Sequence, residues 1–125
     1  MIVSFTDLKA WQQAHKLALL VYKVSESFPK SEQFSLIPQL RRAASSVTSN
    51  IAEGYGRLSE KDREHFYVMA SGSIYEIKSQ LLLARDLGYI QESDFQHLVI
   101  QSNTAHKLLN GLLKAHKHGR QKPNV

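Results

Sequence analysis

No cysteine occurs in the 125 residues, so disulfides and thiolate chemistry are excluded, and a reducing cytoplasm is the expected compartment. No uninterrupted apolar run is long enough to span a bilayer, and no membrane partner is expected. The N-terminal MIVSFTDLKAWQQAH has no basic stretch ahead of an apolar core, so no signal peptide is expected there. Strand-like alternation, internal repeats and low-complexity tracts are absent too. Aromatic residues are 9% and fall mostly on stripes predicted to be buried, which leaves no platform for stacking nucleic-acid bases.

The arrangements that carry catalysis are missing as well. No serine sits in a Gly-x-Ser-x-Gly elbow, and Gly54-x-Gly56 lacks the lysine and the preceding strand of a phosphate loop. A di-iron bundle needs Glu-x-x-His on two helices. None occurs, and the nearest spacing is Asp94-x-x-His97, once. His116–Gly119, HKHG, offers adventitious metal binding only. The expectation is therefore no enzyme, no catalytic residue, no metal and no cofactor.

What is present is helical periodicity, centred on Leu40–Arg57, LRRAASSVTSNIAEGYGR. Leu40, Ala43 or Ala44, Val47 and Ile51 recur at steps of three and four, one apolar stripe on a 3.6-residue period. The rest of this stretch is nearly free of large side chains, which lets neighbouring helices approach closely. Arg42, Asn50 and Glu53 beside that seam, with Glu76 further on, are read as a structural network of ion pairs and hydrogen bonds across helices. Gly54 and Gly56 are expected to end the helix in a left-handed cap.

The other helices follow in order. Asp7 is the expected N-cap of the first, whose buried side is marked by Leu8, Trp11, Ala14 or His15, Ala18, Val21 or Tyr22, and Phe28. His15 is read as a hydrogen-bonded core or interface residue. Phe28-Pro29 stops that helix. Phe34 is expected to tuck back as an anchor, and Ser35 to cap the second helix. Ser59 and Asp62 have capping-box spacing for the third, which buries Phe66, Met69 or Ala70, Ser73, Ile74, Ile77, Leu81 and Ala84. Gly72 inside it costs about 1 kcal/mol against alanine, so a close approach is expected there. After Gly88, a seam of Phe95, Leu98, Ser102, Ala105, Leu109, Leu112 and His116 has the steps of near-parallel helix packing. Helices are predicted near 7–27, 36–54, 60–87 and 92–117, forming one domain over 1–117, with 118–125 a basic tail. Four long helices on short loops make an all-α, antiparallel up-down-up-down four-helix bundle.

Net charge is +5, and its placement is uneven. From Lys114 onward stand Lys114, Lys117, Arg120 and Lys122 with no acid; the remaining 12 basic residues face 11 acidic ones. The tail is either a solubilising end or a binding arm. Lys9, Lys16 and Lys23, seven apart, share one edge of the first helix. Arg41, turned from the apolar stripe, and Arg57, after the glycine turn, complete the candidate nucleic-acid contacts. Contact of this kind reaches phosphates and reads little sequence.

Taken in order, FTDLKAWQQAHKLALLVY, FPKSEQFSL, QLRRAASSVTSNIAEGYGR and GSIYEIKSQLLLA resemble the small bacterial four-helix proteins found in intervening sequences of 23S ribosomal RNA genes. The accessory proteins of diversity-generating retroelements look like relatives. The likeness runs from about Phe5 to Lys114, and its most specific element is NIAEG-x-GR at Asn50–Arg57. Ser35 stands where the family often has glycine and Thr48 where it often has proline, which implies a more regular second helix here. The resemblance implies a left-handed bundle and a ring-like homopentamer. The resulting expectation is a non-enzymatic oligomeric protein that contacts RNA or DNA backbone. The alternative is an oligomeric scaffold that recruits a nucleic-acid enzyme such as a reverse transcriptase, and a metal-binding bundle is a distant third.

Overall fold

Polar side chains meet the unpaired backbone at the end of α1 and at the starts of α2 and α3, and those groups are often not the ones the sequence nominates. The computed structural model describes residues 1–117, and the side chains of residues 1–115. A short 3-10 turn, Phe5–Asp7, leads into α1 (Lys9–Ser25); a second, Lys30–Glu32, precedes α2 (Leu36–Tyr55); α3 (Glu60–Asp86) and α4 (Glu92–Lys117) follow. No strand occurs among the described residues. The tail, residues 118–125, lies outside them.

Asp7 does not cap α1. Its carboxylate accepts from Ser4 N at 3.1 Å, while Ser4 Oγ accepts from Thr6 N at 3.2 Å, a capping box that closes the 3-10 turn one step earlier. Ser35 likewise caps nothing with its own side chain. Its hydroxyl donates to Glu32 Oε1 at 2.6 Å, and that same oxygen accepts from Leu36 N at 3.3 Å. Glu32 thus places a carboxylate over the start of α2, where the helix dipole favours negative charge. Its other oxygen accepts from Tyr89 Oη at 2.8 Å, tying the α1–α2 loop to the α3–α4 loop. The hydrogen bonds from Ser35 and Tyr89 hold the Glu32 carboxyl below its usual range. Phe28 packs on the Tyr89 ring at 5.6 Å, whereas Phe34 does not tuck back as expected. Phe34 is 89% exposed.

At the start of α3 the nomination holds: Ser59 Oγ accepts from Asp62 N at 3.1 Å. Its end is a Schellman cap, with Tyr89 N bonded to Ala84 O and Gly88 N to Arg85 O, both at 2.9 Å. Gly88 sits at φ +80, which a side chain rarely adopts.

α1 packs on α2 and α4, and α3 packs on the same two helices. Leu17, Val21, Leu40, Val47, Ile51, Ile74, Ile77, Leu81, Leu109 and Leu112 are fully or almost fully enclosed between them. Every described member of the α4 seam, Phe95 through Leu112, is buried. The α3 stripe is buried from Ala70 through Ser73, Ile74, Ile77 and Leu81 to Ala84 as expected, and departs only at its start, where Tyr67 is buried and Phe66 is half-buried. On α1, Trp11 is half-buried, edge-on to Phe5, and His15 is exposed and stacked on Trp11 at 4.8 Å rather than enclosed.

Gly88 works as expected, but Gly54, Gly56 and Gly72 do not. Gly54 takes no left-handed cap, nor does Gly56, whose φ is −79. Gly54 is buried in the last turn of α2, and a Cβ built on it would lie 2.7 Å from Tyr67 Cε1 and 2.9 Å from Cδ1. Its missing side chain is the space the Tyr67 ring occupies. A Cβ on Gly72 would meet nothing within 4 Å, so no close approach explains it, and α3 runs through it unbroken.

Gly72→Ala is expected to raise stability by about 0.5–1 kcal/mol, the ordinary helix-interior gain. Gly54→Ala offers the same backbone gain, against about 1–3 kcal/mol of overpacking on an enclosed ring. A net loss of about 1 kcal/mol is expected. Urea midpoints of both variants check this, and equal stabilisation by the two would show that the Tyr67 ring yields freely.

Candidate nucleic-acid interface

Seven-residue spacing puts Lys9, Lys16 and Lys23 on one side of α1, and all three are exposed. Between Lys9 and Ser25 the helix contains no acid. None of the three lysines forms an ion pair with a described residue. Lys114 is exposed near the end of α4. The Lys117 side chain, Arg120 and Lys122 lie outside the described part.

The structure takes both arginine candidates toward internal duties. Arg41 is half-buried: Nε donates to Ser25 Oγ at 2.8 Å, and Nη2 donates to Tyr22 O at 3.2 Å. Its guanidinium lies 4.8 Å from the centre of the Tyr22 ring. Tyr22 O is in the last turn of α1 and also accepts from Ser25 Oγ at 3.1 Å, so Arg41 adds a second donor at a place where the dipole also favours a cation. Turning away from the α2 apolar stripe turns this side chain toward the end of α1. Arg57 Nη2 pairs with Glu53 Oε2 at 2.9 Å, and its guanidinium sits 4.6 Å over the Phe66 ring.

The expected network of Arg42, Asn50, Glu53 and Glu76 is not assembled within the chain. Glu53 is engaged by Arg57; Arg42 and Glu76 are exposed, with no ion pair among the described residues; Asn50 Nδ2 donates back to Ser46 O and Oγ at 2.9 and 3.0 Å. The polar contact that does cross from α3 to α2 is smaller: Ser73 Oγ donates to Ser46 Oγ at 2.9 Å. Two hydroxyls fit a seam built of small residues; a carboxylate with its guanidinium partner does not.

One cluster was not anticipated. His106 on α4 is buried, its Nδ1 3.0 Å from Lys78 Nζ and its Nε2 3.0 Å from Ser71 Oγ, both on α3. The Tyr75 ring meets it edge-on, with centroids 4.8 Å apart. An ammonium has only donors, so Nδ1 must accept, and the imidazole proton therefore sits on Nε2 and is donated to Ser71. This is the opposite of what a serine nucleophile requires, because Nε2 has no lone pair free to take the hydroxyl proton. Burial first, and the Lys78 charge second, hold the His106 pKa below the usual 6.5. Burial also lowers that of Lys78. The only sequence signal was that His106 follows Ala105, one position off the α4 seam.

Residues 6–111 match the profile of the 23S rRNA-intervening sequence protein family. The fold is similar to that of a protein of unknown function from the S23 ribosomal protein family of Bacteroides thetaiotaomicron VPI-5482. That similarity has a TM-score of 0.75 and 21% identity, covering 84% of this chain and 98% of that one. At this identity the likeness speaks for the fold alone. No curated protein matches the chain.

The His106 cluster sets a pH dependence. In the unfolded chain the imidazole titrates near 6.5; in the folded chain it takes its proton only at lower pH. Between the two values the unfolded chain binds more protons, so stability falls as pH drops below about 6.5 and levels off under the folded value. Denaturant midpoints measured from about pH 7 to about pH 5 are expected to fall in the wild type and to flatten in His106→Gln. An unchanged slope in that variant would assign the effect elsewhere.

Proposed function

Because the chain belongs to the 23S rRNA-intervening sequence protein family, we propose that it is a non-enzymatic, oligomeric protein that binds RNA or DNA through phosphate contacts. The observation that carries this is the unopposed charge at the C-terminal end, where Lys114, Lys117, Arg120 and Lys122 stand with no acid among them. A second basic surface, Lys9, Lys16 and Lys23, is exposed on α1. Phosphate contact needs unpaired cations and no base-reading groove, and Lys9, Lys16 and Lys23 form no ion pair among the described residues.

The reading includes an antiparallel, up-down-up-down, left-handed bundle. Gly54 meets Tyr67 and Ser46 meets Ser73, so α3 returns along α2; the Arg85–Phe95 and Ser71–His106 contacts support the same return for α4 along α3. It also includes a cyclic homo-oligomer, a pentamer, in a cytoplasmic setting. One chain at +5 is a weak ligand for a polyanion, whereas a ring presents the same basic surface several times over. The second reading, a scaffold that recruits a nucleic-acid enzyme, is favoured by the large apolar side chains exposed along α3, Val68, Tyr75 and Leu82 among them.

A chain cut after Ala115 lacks Lys117, Arg120 and Lys122. In gel-shift titrations over a salt series, it is expected to bind more weakly, with the slope of log affinity against log salt reduced by roughly 0.9 for each duplex phosphate that is no longer neutralised. Unchanged affinity and slope would make the tail a solubilising end. If the intact chain shows no salt-dependent binding to RNA or DNA, the scaffold reading replaces this one.

A further inference from the structure

The outward faces of α1 and α3 are complementary in charge, in apolar content and in repeat. On α3, Val68, Tyr75 and Leu82 are 54%, 62% and 46% exposed and stand seven residues apart. Beside them runs a second row of the same spacing, Met69, Glu76 and Leu83, all exposed. From Glu64 to Asp86 the exposed Asp, Glu, Lys and Arg residues of this helix are all acids. Its two cations there, Lys78 and Arg85, are half-buried and turned to His106 and to the Phe95 ring. On α1 the exposed face holds Lys16, Lys23, Leu19 and Tyr22, and its one neighbouring acid is Glu26, just past the last residue of the helix. Its lysines repeat every seven residues, as the α3 rows do, a step of about 10.5 Å on either helix.

These faces cannot meet within one chain. α1 and α3 each pack on α2 and α4, which sets their outward sides apart. We infer that the outward face of α3 docks on the outward face of α1 in a second copy of this chain. Matched seven-residue repeats favour near-parallel helix axes, with Tyr75 and Leu82 against Leu19 and Tyr22, and Glu76 among the lysines. Two different faces make a head-to-tail contact, which closes into a ring or grows into a filament according to its rotation. The inference rests on the oligomeric half of the reading above and narrows the other half. It places Lys16 and Lys23 against a neighbouring subunit and leaves the phosphates to Lys114 and the stretch beyond it.

The test uses charge reversal on each face: Glu76→Lys with Leu82→Lys on α3, and Leu19→Glu with Lys23→Glu on α1, with light scattering to give the mass. The wild type is expected to be assembled, each variant to fall to single-chain mass, and an equimolar mixture of the two to rise to about twice that mass, since the intact α1 face of one variant can dock on the intact α3 face of the other. A wild type of single-chain mass overturns the oligomeric reading and this inference together. An assembled wild type with variants that remain assembled overturns the inference alone. So does a mixture that stays at single-chain mass. Helical circular dichroism through a thermal melt checks that each variant is folded, and the single reversals Glu76→Lys and Lys23→Glu replace any pair that is not.

Discussion

The close approach of α2 and α3 is the constraint on which the rest depends. Gly54 gives up its side chain to the Tyr67 ring, and further along Ser46 and Ser73 bridge the same seam with two hydroxyls. Small residues let the two helices pack closely, and Leu40, Val47, Ile51, Ile74, Ile77 and Leu81 are all fully enclosed, each contributing about 1.5–3 kcal/mol. A wider seam would leave those side chains short of partners and the hydroxyls unpaired. The burial of Tyr67, which raises its pKa, follows from the same geometry.

Polar groups at the helix ends then fix how the helices are joined. Glu32 covers the start of α2 and receives the Tyr89 hydroxyl, so one carboxylate links two loops; Arg41 covers the end of α1. These contacts explain why the surface is less rich in free cations than the composition implies. Arg41, Arg57 and Arg85 are each placed against a ring and a polar partner within the chain, which leaves lysines, rather than arginines, as most of the open positive charge. A lysine is a compact point charge suited to phosphates and to exposed carboxylates alike. The α1 face is therefore chemically able to serve either partner, and the exposed apolar rows of α3, with Glu76 among them, are what favours a second copy there.

The helices themselves were legible in the sequence. The predicted spans lie within two residues of those observed at every end, and the α4 seam is buried as its three-four steps require. Both rest on local order: apolar side chains at i, i+3, i+4 and i+7 share a face whatever the rest of the chain does, and Gly88 before a new polar stretch reads as a stop. The basic C-terminal end was equally plain, since charge counting needs no structure.

Partners were decided by tertiary structure. Periodicity says that Arg41 leaves the apolar stripe, but not that the end of α1 lies where it points. It says that Gly72 is anomalous in a helix, but not that the close approach occurs at Gly54. Phe34 stays exposed although it is large and apolar, and His106 found Ser71 and Lys78 across 35 and 28 residues of chain. Sequence determined which faces exist, because neighbours along a helix are set by its 3.6-residue period. Which face meets which, and hence what each polar group is for, was decided only when four helices packed, because such contacts join residues that sequence distance does not relate.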